Sequence, residues 1–531
     1  MVVAPQPEAA EAGADVLAAG GNAVDAAVAA AFVQGVADPL MCGIGGFGSM
    51  QVYMPGRGVH EVLEFYARAP LAARPDMWAD RLAGQSRDGF AFLLQGGVSE
   101  FGHLAVCTPG SVRGYAEALR RYGTLAWAEA MAPAVALARR GVLVRPHMHW
   151  FWSQDQSGTG QVNTDDKLLG SRTGRQVYVR LDGGVKRPGD ILHNPDLART
   201  LERLAEGGPD LFYHGALADE IAADFQAQGG LLTREDLVAY ELSVVPPIWG
   251  EYRGHRIATS PPPASGMLML QLLHILENFD LAALGHNSAE HVRILAEAMK
   301  RMTADKDRHM GDPAYVDVPV ERLTSKSYCA GLAAAIRRGE RAHVARLDGS
   351  DRETTHVSVV DRDGNAAALT HTLGSPSGAI TDGLGFMYNG SMSRFDPRPG
   401  HAASIAPGKR RASSAAPTVV FKDGAPFIVI GAPGGSYIAP AVAQGISNVV
   451  DFGMSMGEAV AAPRVVAVSD SIDVSNRALR RVTDALEADG YDVKRSAQSY
   501  AFAALHGIAL RGGVPSGGAD PQRDGMAVLV P

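Results

Sequence analysis

The sequence predicts an α+β protein, because helical and strand-like patterns are segregated along the chain. Ala-rich helical stretches with interspersed strands dominate up to about residue 350, whereas short β-branched or alternating segments follow from residue 354. At 531 residues, 46% hydrophobic and 20% charged, the chain is long and apolar enough for a large buried core, in about three domains or one large body.

Residues 8–19 and 23–36 read as two helices separated by Gly20-Gly21, with Asn22 as N-cap of the second, Asp25 at its third position and Pro39 beyond its end. Further helices are expected at 111–121, 126–140 and 195–205, and a capped helix at 231–242. The segments 354–361, 366–373, 417–421 and 425–431 read as strands, and Asp363-Gly364 is a hairpin turn joining the first two. Residues 397–416, rich in Pro, Gly, Ser and basic side chains, are expected to be loop.

Composition excludes several functions. The net charge of −8 and the lack of a Lys/Arg stripe argue against nucleic acid. Cys42, Cys107 and Cys329 are too few and too irregularly spaced for a disulfide framework or a zinc site, and Cys107 reads as a small buried group. The first residues lack the pattern of a signal peptide, and no 18-residue apolar run occurs, so a cytoplasmic protein without a membrane partner is expected. Gly43-Ile44-Gly45-Gly46-Phe47-Gly48 matches a dinucleotide fingerprint but follows a helix instead of a strand. His286 and Glu290-His291 miss zinc spacing by one residue and read as a solvated helix start. Neither a G-x-S-x-G elbow nor a P-loop is present.

The remaining chemistry lies in the hairpin that begins at Thr354. A two-residue turn places Thr354 opposite Leu373, and a one-residue bulge brings Thr372 opposite instead, where two hydroxyls can share a hydrogen bond. His371, on the other face from Thr372, is expected to be structural.

Motifs along nearly the whole chain resemble the γ-glutamyltransferase family of N-terminal-nucleophile hydrolases. They are Gly20-Gly21-Asn22-Ala23-Val24-Asp25, Gly43-Ile44-Gly45-Gly46, Thr108-Pro109-Gly110-Ser111 and Pro261-Pro262-Pro263-Ala264-Ser265-Gly266. To these are added Thr354-Thr355-His356-Val357-Ser358-Val359-Val360-Asp361, Ser413-Ser414 and Gly431-Ala432-Pro433-Gly434-Gly435-Ser436. The resemblance implies a four-layer αββα sandwich and self-cleavage between Glu353 and Thr354. A large chain (1–353) and a small, strand-rich chain (354–531) then stay associated, with a homo-oligomer of the processed unit an open possibility. It further implies that Thr354 is the nucleophile and that its freed α-amine, with an ordinary pKa of about 7.7–8.0, is the general base. By the same resemblance Thr372 holds the nucleophile's hydroxyl, the N–H groups of Gly434 and Gly435 form the oxyanion hole, and no metal or organic cofactor is involved.

The sequence departs from the family where γ-glutamyl substrates are gripped. The position of the arginine that binds the α-carboxylate is Tyr66, with Arg68 two residues on; the positions that bind the α-ammonium are Gly374, Ser391 and Arg394. A cation at Arg394 repels an ammonium, whereas Arg394 with Ser413 and Ser414 suits a carboxylate. The expected substrate is therefore a small amide whose acyl group carries a carboxylate but no α-amino group, as in the glutaryl-cephalosporin acylases and oxamate amidohydrolases of the family. True γ-glutamyl transfer or hydrolysis, and an uncleaved non-catalytic homologue, are the alternatives.

Overall fold

The computed structural model describes residues 1–89, 91–156, 159–346, 354–498 and 501–531. Two β-sheets pack face to face, with helices on both outer faces. The seven-stranded sheet uses β1 (Val2–Ala4), β2 (Phe47–Met54), β3 (Val59–Phe65), β4 (Ser243–Val245), β7 (Thr355–Val360), β8 (Ala366–Thr372) and β13 (Met526–Val528). Its order is β13-β1-β7-β8-β2-β3-β4, and each described pair is antiparallel. The six-stranded sheet is built from β5 (Ile248–Tyr252), β6 (His255–Thr259), β9 (Thr418–Lys422), β10 (Ala425–Gly431), β11 (His506–Arg511) and β12 (Val514–Ala519). Its order is β12-β11-β10-β9-β6-β5.

Alternation along the strands sorts side chains between the two faces. Val360, Ala366 and Ala368 meet Val419, Val429 and Ile508 between the sheets. Val357, Val359, Ala367 and Leu369 point to the opposite face and pack against α1 (Pro7–Ala18) and α2 (Ala23–Ala37). The outer face of the six-stranded sheet is covered by α3 (Gly266–Leu276), α4 (Ala289–His309) and α5 (Ile438–Val450). The expected mixed class and the helix and strand positions hold with shifts of one or two residues, with one exception. The helix expected at 231–242 is only Arg234–Val238, because the Thr233 cap starts it correctly but Ala239 already ends the turn.

Local chemistry fixes the central hairpin. Asn22 and Asp25 form a reciprocal capping box at the start of α2. The Ala23 N–H donates to the Asp361 carboxylate (3.0 Å), which also accepts from Asp363 N–H and Asn365 N–H at the turn. The other end of α2 is pinned by Gln34, whose amide donates to the Thr355 hydroxyl (2.9 Å) and whose carbonyl meets His371 Nε2 (2.7 Å). One buried glutamine thus ties the helix to both strands with its polar atoms satisfied.

Candidate active site

The hairpin pairs Val360 with Ala366 and Thr355 with His371, so residues 362–364 form a three-residue loop with Gly364 at φ 76°. This is the bulged alternative, in which glycine accepts the left-handed position and the register moves by one. Thr354 therefore lies opposite Thr372, and its hydroxyl donates to Thr372 Oγ1 at 3.2 Å. Thr372 Oγ1 in turn accepts from the Gly374 N–H at 2.7 Å.

Two buried histidines flank this pair without joining it. His371 points to the helix side, where Nδ1 meets the Tyr115 hydroxyl at 2.6 Å, as its strand parity requires. His356 faces the other sheet, bridging Thr370 Oγ1 (2.8 Å) and Ser358 Oγ (2.9 Å). Burial drives both down to about 3, so both imidazoles are neutral. A Cβ on Gly431 would lie 2.2 Å from the His356 ring, so β10 can cross this close to the hairpin only with glycine there.

Directly beyond β10 the chain turns through Gly434 and Gly435, at φ 138° and 56°, into a 3-10 turn and then α5. A Cβ on Gly434 would sit 2.5 Å from the Ala503 backbone. Neither glycine N–H is a donor among the described turn and loop hydrogen bonds. Both lie at the N-terminal end of a 13-residue helix, where orphan N–H groups and the helix dipole favour negative charge.

A cavity of about 140 Å³, open to solvent, contains Arg394, Ser413 and Ser414 in its lining together with Ser436, the residue after Gly435. Arg394 is 4% exposed and donates from Nη2 to the Gly374 carbonyl at 2.8 Å. It is therefore buried against the same glycine whose N–H holds Thr372, and not spread over the surface. Gly374 and Ser391 lie behind this wall: a Cβ on Gly374 would meet Arg411 Nη1 at 2.8 Å and Ser391 Oγ at 3.0 Å. Tyr66 is 1% exposed, packs in an apolar cluster with Phe47 and Met392, and is not among the described lining residues of the cavity. Arg68 donates from Nη2 to the Glu241 carbonyl and is likewise not among the described lining residues. Thr354 and Thr372 are likewise not among the described lining residues of the continuous chain. Glu353 lies outside the described residues.

Sequence reasoning missed Arg411. It reads as one of three basic residues in a loop, yet it is 1% exposed, lines the cavity beside Arg394 and lies 4.7 Å above the Phe47 ring. Burial and the neighbouring Arg394 lower its pKa to about 9, so an anion bound here relieves both costs. Of its neighbours, Lys409 is buried and Arg410 partly so. Lys409 closes the loop onto the carbonyls of Ala402 and Ser404, and Arg410 bridges Glu64 (2.6 Å) and Asp312 (2.7 Å). A second miss is Arg523, which donates from Nη1 to the Thr354 carbonyl at 2.9 Å.

Arg523 belongs to a chain of contacts that runs inward from the surface: its exposed neighbour Asp524 meets buried His147 at Nδ1 (3.2 Å), and His147 Nε2 meets buried Asp38 (3.0 Å), the residue that ends α2. Burial opposes charge on His147, but the two carboxylates outweigh it and hold its pKa above the usual histidine value. A raised folded-state pKa means this stabilisation is complete below about pH 6.5 and fades as pH rises through the folded value. His147→Gln is expected to cost about 3 kcal/mol at pH 6 and distinctly less at pH 9, measured by chemical denaturation at both.

Elsewhere, the His286–His291 segment is less solvated than expected. His291 is 3% exposed, packs tilted against Phe452 at 5.4 Å and accepts the Asn287 N–H at 2.9 Å, while Ser288 caps α4, so the histidine faces the interior instead of water. Cys107 is buried as expected, with its thiol pKa pushed up by burial. No helix among the described residues is long and apolar enough to cross a membrane.

The two-sheet sandwich, with a buried threonine pair at a hairpin start and a glycine turn at a helix N-terminus, defines a hydrolase of the N-terminal-nucleophile type. The gamma-glutamyltranspeptidase family pattern matches residues 9–530, and the chain belongs to that family of amidohydrolases. It is 38% identical over 540 residues to the Acylase ACY 1 proenzyme of Pseudomonas sp. (strain V22), covering 100% of this chain and 93% of the relative. It is 36% identical over 488 residues to the Glutathione hydrolase proenzyme of Escherichia coli (strain K12), covering 87% and 80%. Among solved structures, the cephalosporin acylase from Bacillus halodurans superposes with a TM-score of 0.86 at 28% identity, over 99% of this chain and 94% of that one.

Proposed function

We propose that this chain is an autoprocessing N-terminal threonine amidohydrolase for amides whose acyl group carries a carboxylate and no α-amino group. Water adds across the Glu353–Thr354 peptide bond, leaving chains 1–353 and 354–531 associated through the sandwich both contribute to. The hydroxyl of Thr354, oriented by Thr372, then attacks the substrate carbonyl while the freed α-amine takes its proton. The Gly434 and Gly435 N–H groups stabilise the oxyanion, and the amine leaves protonated. Water, or an acceptor amine, releases the acyl group from the threonine ester. The proenzyme names of the relatives support maturation, and the burial of Thr354 in the continuous chain fits a site that opens when the chain is cut before it.

The observation that carries the substrate reading is the pair of buried guanidiniums, Arg394 and Arg411, in the same cavity wall as Ser413 and Ser414. Placing an ammonium there without a matching acid costs several kcal/mol, whereas a carboxylate gains charge-assisted bonds. Glutaryl, oxalyl and γ-glutamyl amides compared on purified, matured protein test this. Turnover of the glutaryl or oxalyl amide is expected to exceed that of its γ-glutamyl counterpart by about a hundredfold or more in kcat/KM. The second reading, γ-glutamyl hydrolysis or transfer as the name of the Escherichia coli relative suggests, requires the reverse order.

A further inference from the structure

Two adjacent glycines lose more backbone freedom on ordering than any other pair of residues, so the N–H groups of Gly434 and Gly435 keep one direction only if their surroundings hold them. Upstream, the Pro433 carbonyl accepts the Ala504 N–H (3.1 Å), and the Ala503 backbone closes against Gly434. Downstream, the Tyr437 N–H donates to the Gly434 carbonyl (3.1 Å), closing the 3-10 turn Gly435–Tyr437 onto the glycine pair. The direction of the glycine N–H groups therefore depends on where Tyr437 is fixed.

Tyr437 is 1% exposed, and its hydroxyl donates to Asp473 Oδ2 at 3.1 Å. Asp473 is the middle residue of the short strand Ile472–Val474, which pairs on one side with Val465–Val466 and on the other with Val493–Arg495, so its backbone is held from both sides. Its second oxygen, Oδ1, accepts from Arg87 Nη2 at 2.5 Å. Arg87 lies at the turn of a hairpin made by Leu82–Gln85 and Phe92–Leu94, and Gln85, Gly89 and Phe92 of that hairpin line the cavity. The hairpin is anchored in turn by Lys306 of α4, which donates to the Gly89 carbonyl (2.9 Å), and by Arg346, which donates to Gln85 Oε1 (2.9 Å). Scission before Thr354 leaves Arg87 on the large chain, with Asp473, Tyr437 and both glycines on the small one.

We propose that Asp473 is a positioning residue for the oxyanion hole: its carboxylate seats Tyr437, which holds the glycine turn, and is itself held from the large chain by Arg87. This role rests on the reading of Gly434 and Gly435 as oxyanion donors given above. Asp473 is not among the described lining residues of the cavity, and it acts through Tyr437. The glycine donors serve a charge that develops in the transition state, so loss of the seat falls on kcat and not on KM.

The test uses the matured enzyme with the glutaryl, oxalyl and γ-glutamyl 4-nitroanilides. In Tyr437→Phe, kcat on whichever anilide is turned over is expected to fall about ten- to hundredfold, with KM within about twofold, the scale of a small displacement of transition-state donors. Asp473→Ala is expected to match it, and the double variant to be no slower than either single one, because both changes remove the same hydrogen bond. Asp473→Asn and Arg87→Gln, which keep an acceptor for the Tyr437 hydroxyl, are expected to retain kcat within about threefold, the scale of losing a partly exposed ion pair. An unchanged kcat in Tyr437→Phe, a loss carried by KM, or losses that multiply in the double variant overturn the positioning role and leave the oxyanion reading standing. A matured enzyme that turns over none of the three anilides overturns both.

Discussion

Thr354→Ala is expected to yield one uncut chain of 531 residues with turnover reduced by at least ~10⁴-fold, the scale of losing a covalent nucleophile. The reason is double. The hydroxyl that donates to Thr372 at 3.2 Å is the proposed attacking group both for the substrate and for the preceding peptide bond. The two histidines beside the pair do not replace it: His356 and His371 are neutral, buried and engaged with Thr370, Ser358, Tyr115 and Gln34. Thr354→Ser is expected to mature and turn over, more slowly, because it keeps the hydroxyl but lacks the methyl group that restricts the rotamer. Denaturing electrophoresis and anilide turnover check both variants. Rapid maturation of Thr354→Ala would place the nucleophile elsewhere.

Arg394→Gln is expected to lower kcat/KM on the glutaryl amide by about thirty- to four-thousand-fold, the range for removing one partner of a buried charge interaction. The variant keeps a donor that can reach the Gly374 carbonyl but removes the charge that a carboxylate needs. Arg411→Gln is expected to act in the same direction, with a further effect on stability because its guanidinium packs over Phe47. Charge reversal, Arg394→Asp, is expected to change the ranking between glutaryl and γ-glutamyl amides, since it supplies an acid for an ammonium. An unchanged ranking across that series would remove the basis for the substrate reading, whatever the absolute rates.

Much of the fold was legible because its local signals agree. The Asn22 cap with Asp25, the glycine breaks and the β-branched runs from Thr355 and Ala366 each state one conformation, and tertiary packing does not override them. The hairpin register was not fixed by the turn dipeptide, because Asp363-Gly364 serves both a two-residue turn and a three-residue loop. The Asp361 carboxylate, bound to Ala23 across the sheet, goes with the longer one.

The site was legible in part for a similar reason. Thr354 and Thr372 share a face by strand parity, and glycines at 434 and 435 announce a close backbone approach. Arg411 was not legible, because a basic run in a Pro/Gly-rich loop normally lies in water, and only the fold buries it against Phe47. Tyr66 is the converse case: its position in a motif says nothing of its surroundings, while its bulk and apolar neighbours bury it with Phe47 and Met392. Arg523 reaches Thr354 from 169 residues away in sequence, a contact that no spacing rule anticipates.

The measurement that bears most directly on the proposed chemistry is the denatured mass of the freshly purified protein, with the N-terminal sequence of its fragments. Two species are expected, together equal to the 55.8 kDa chain plus one water, the smaller beginning at Thr354. A single species near 55.8 kDa that persists on incubation would mean that the α-amine of Thr354 is never freed, and it would contradict the proposed mechanism at its first step.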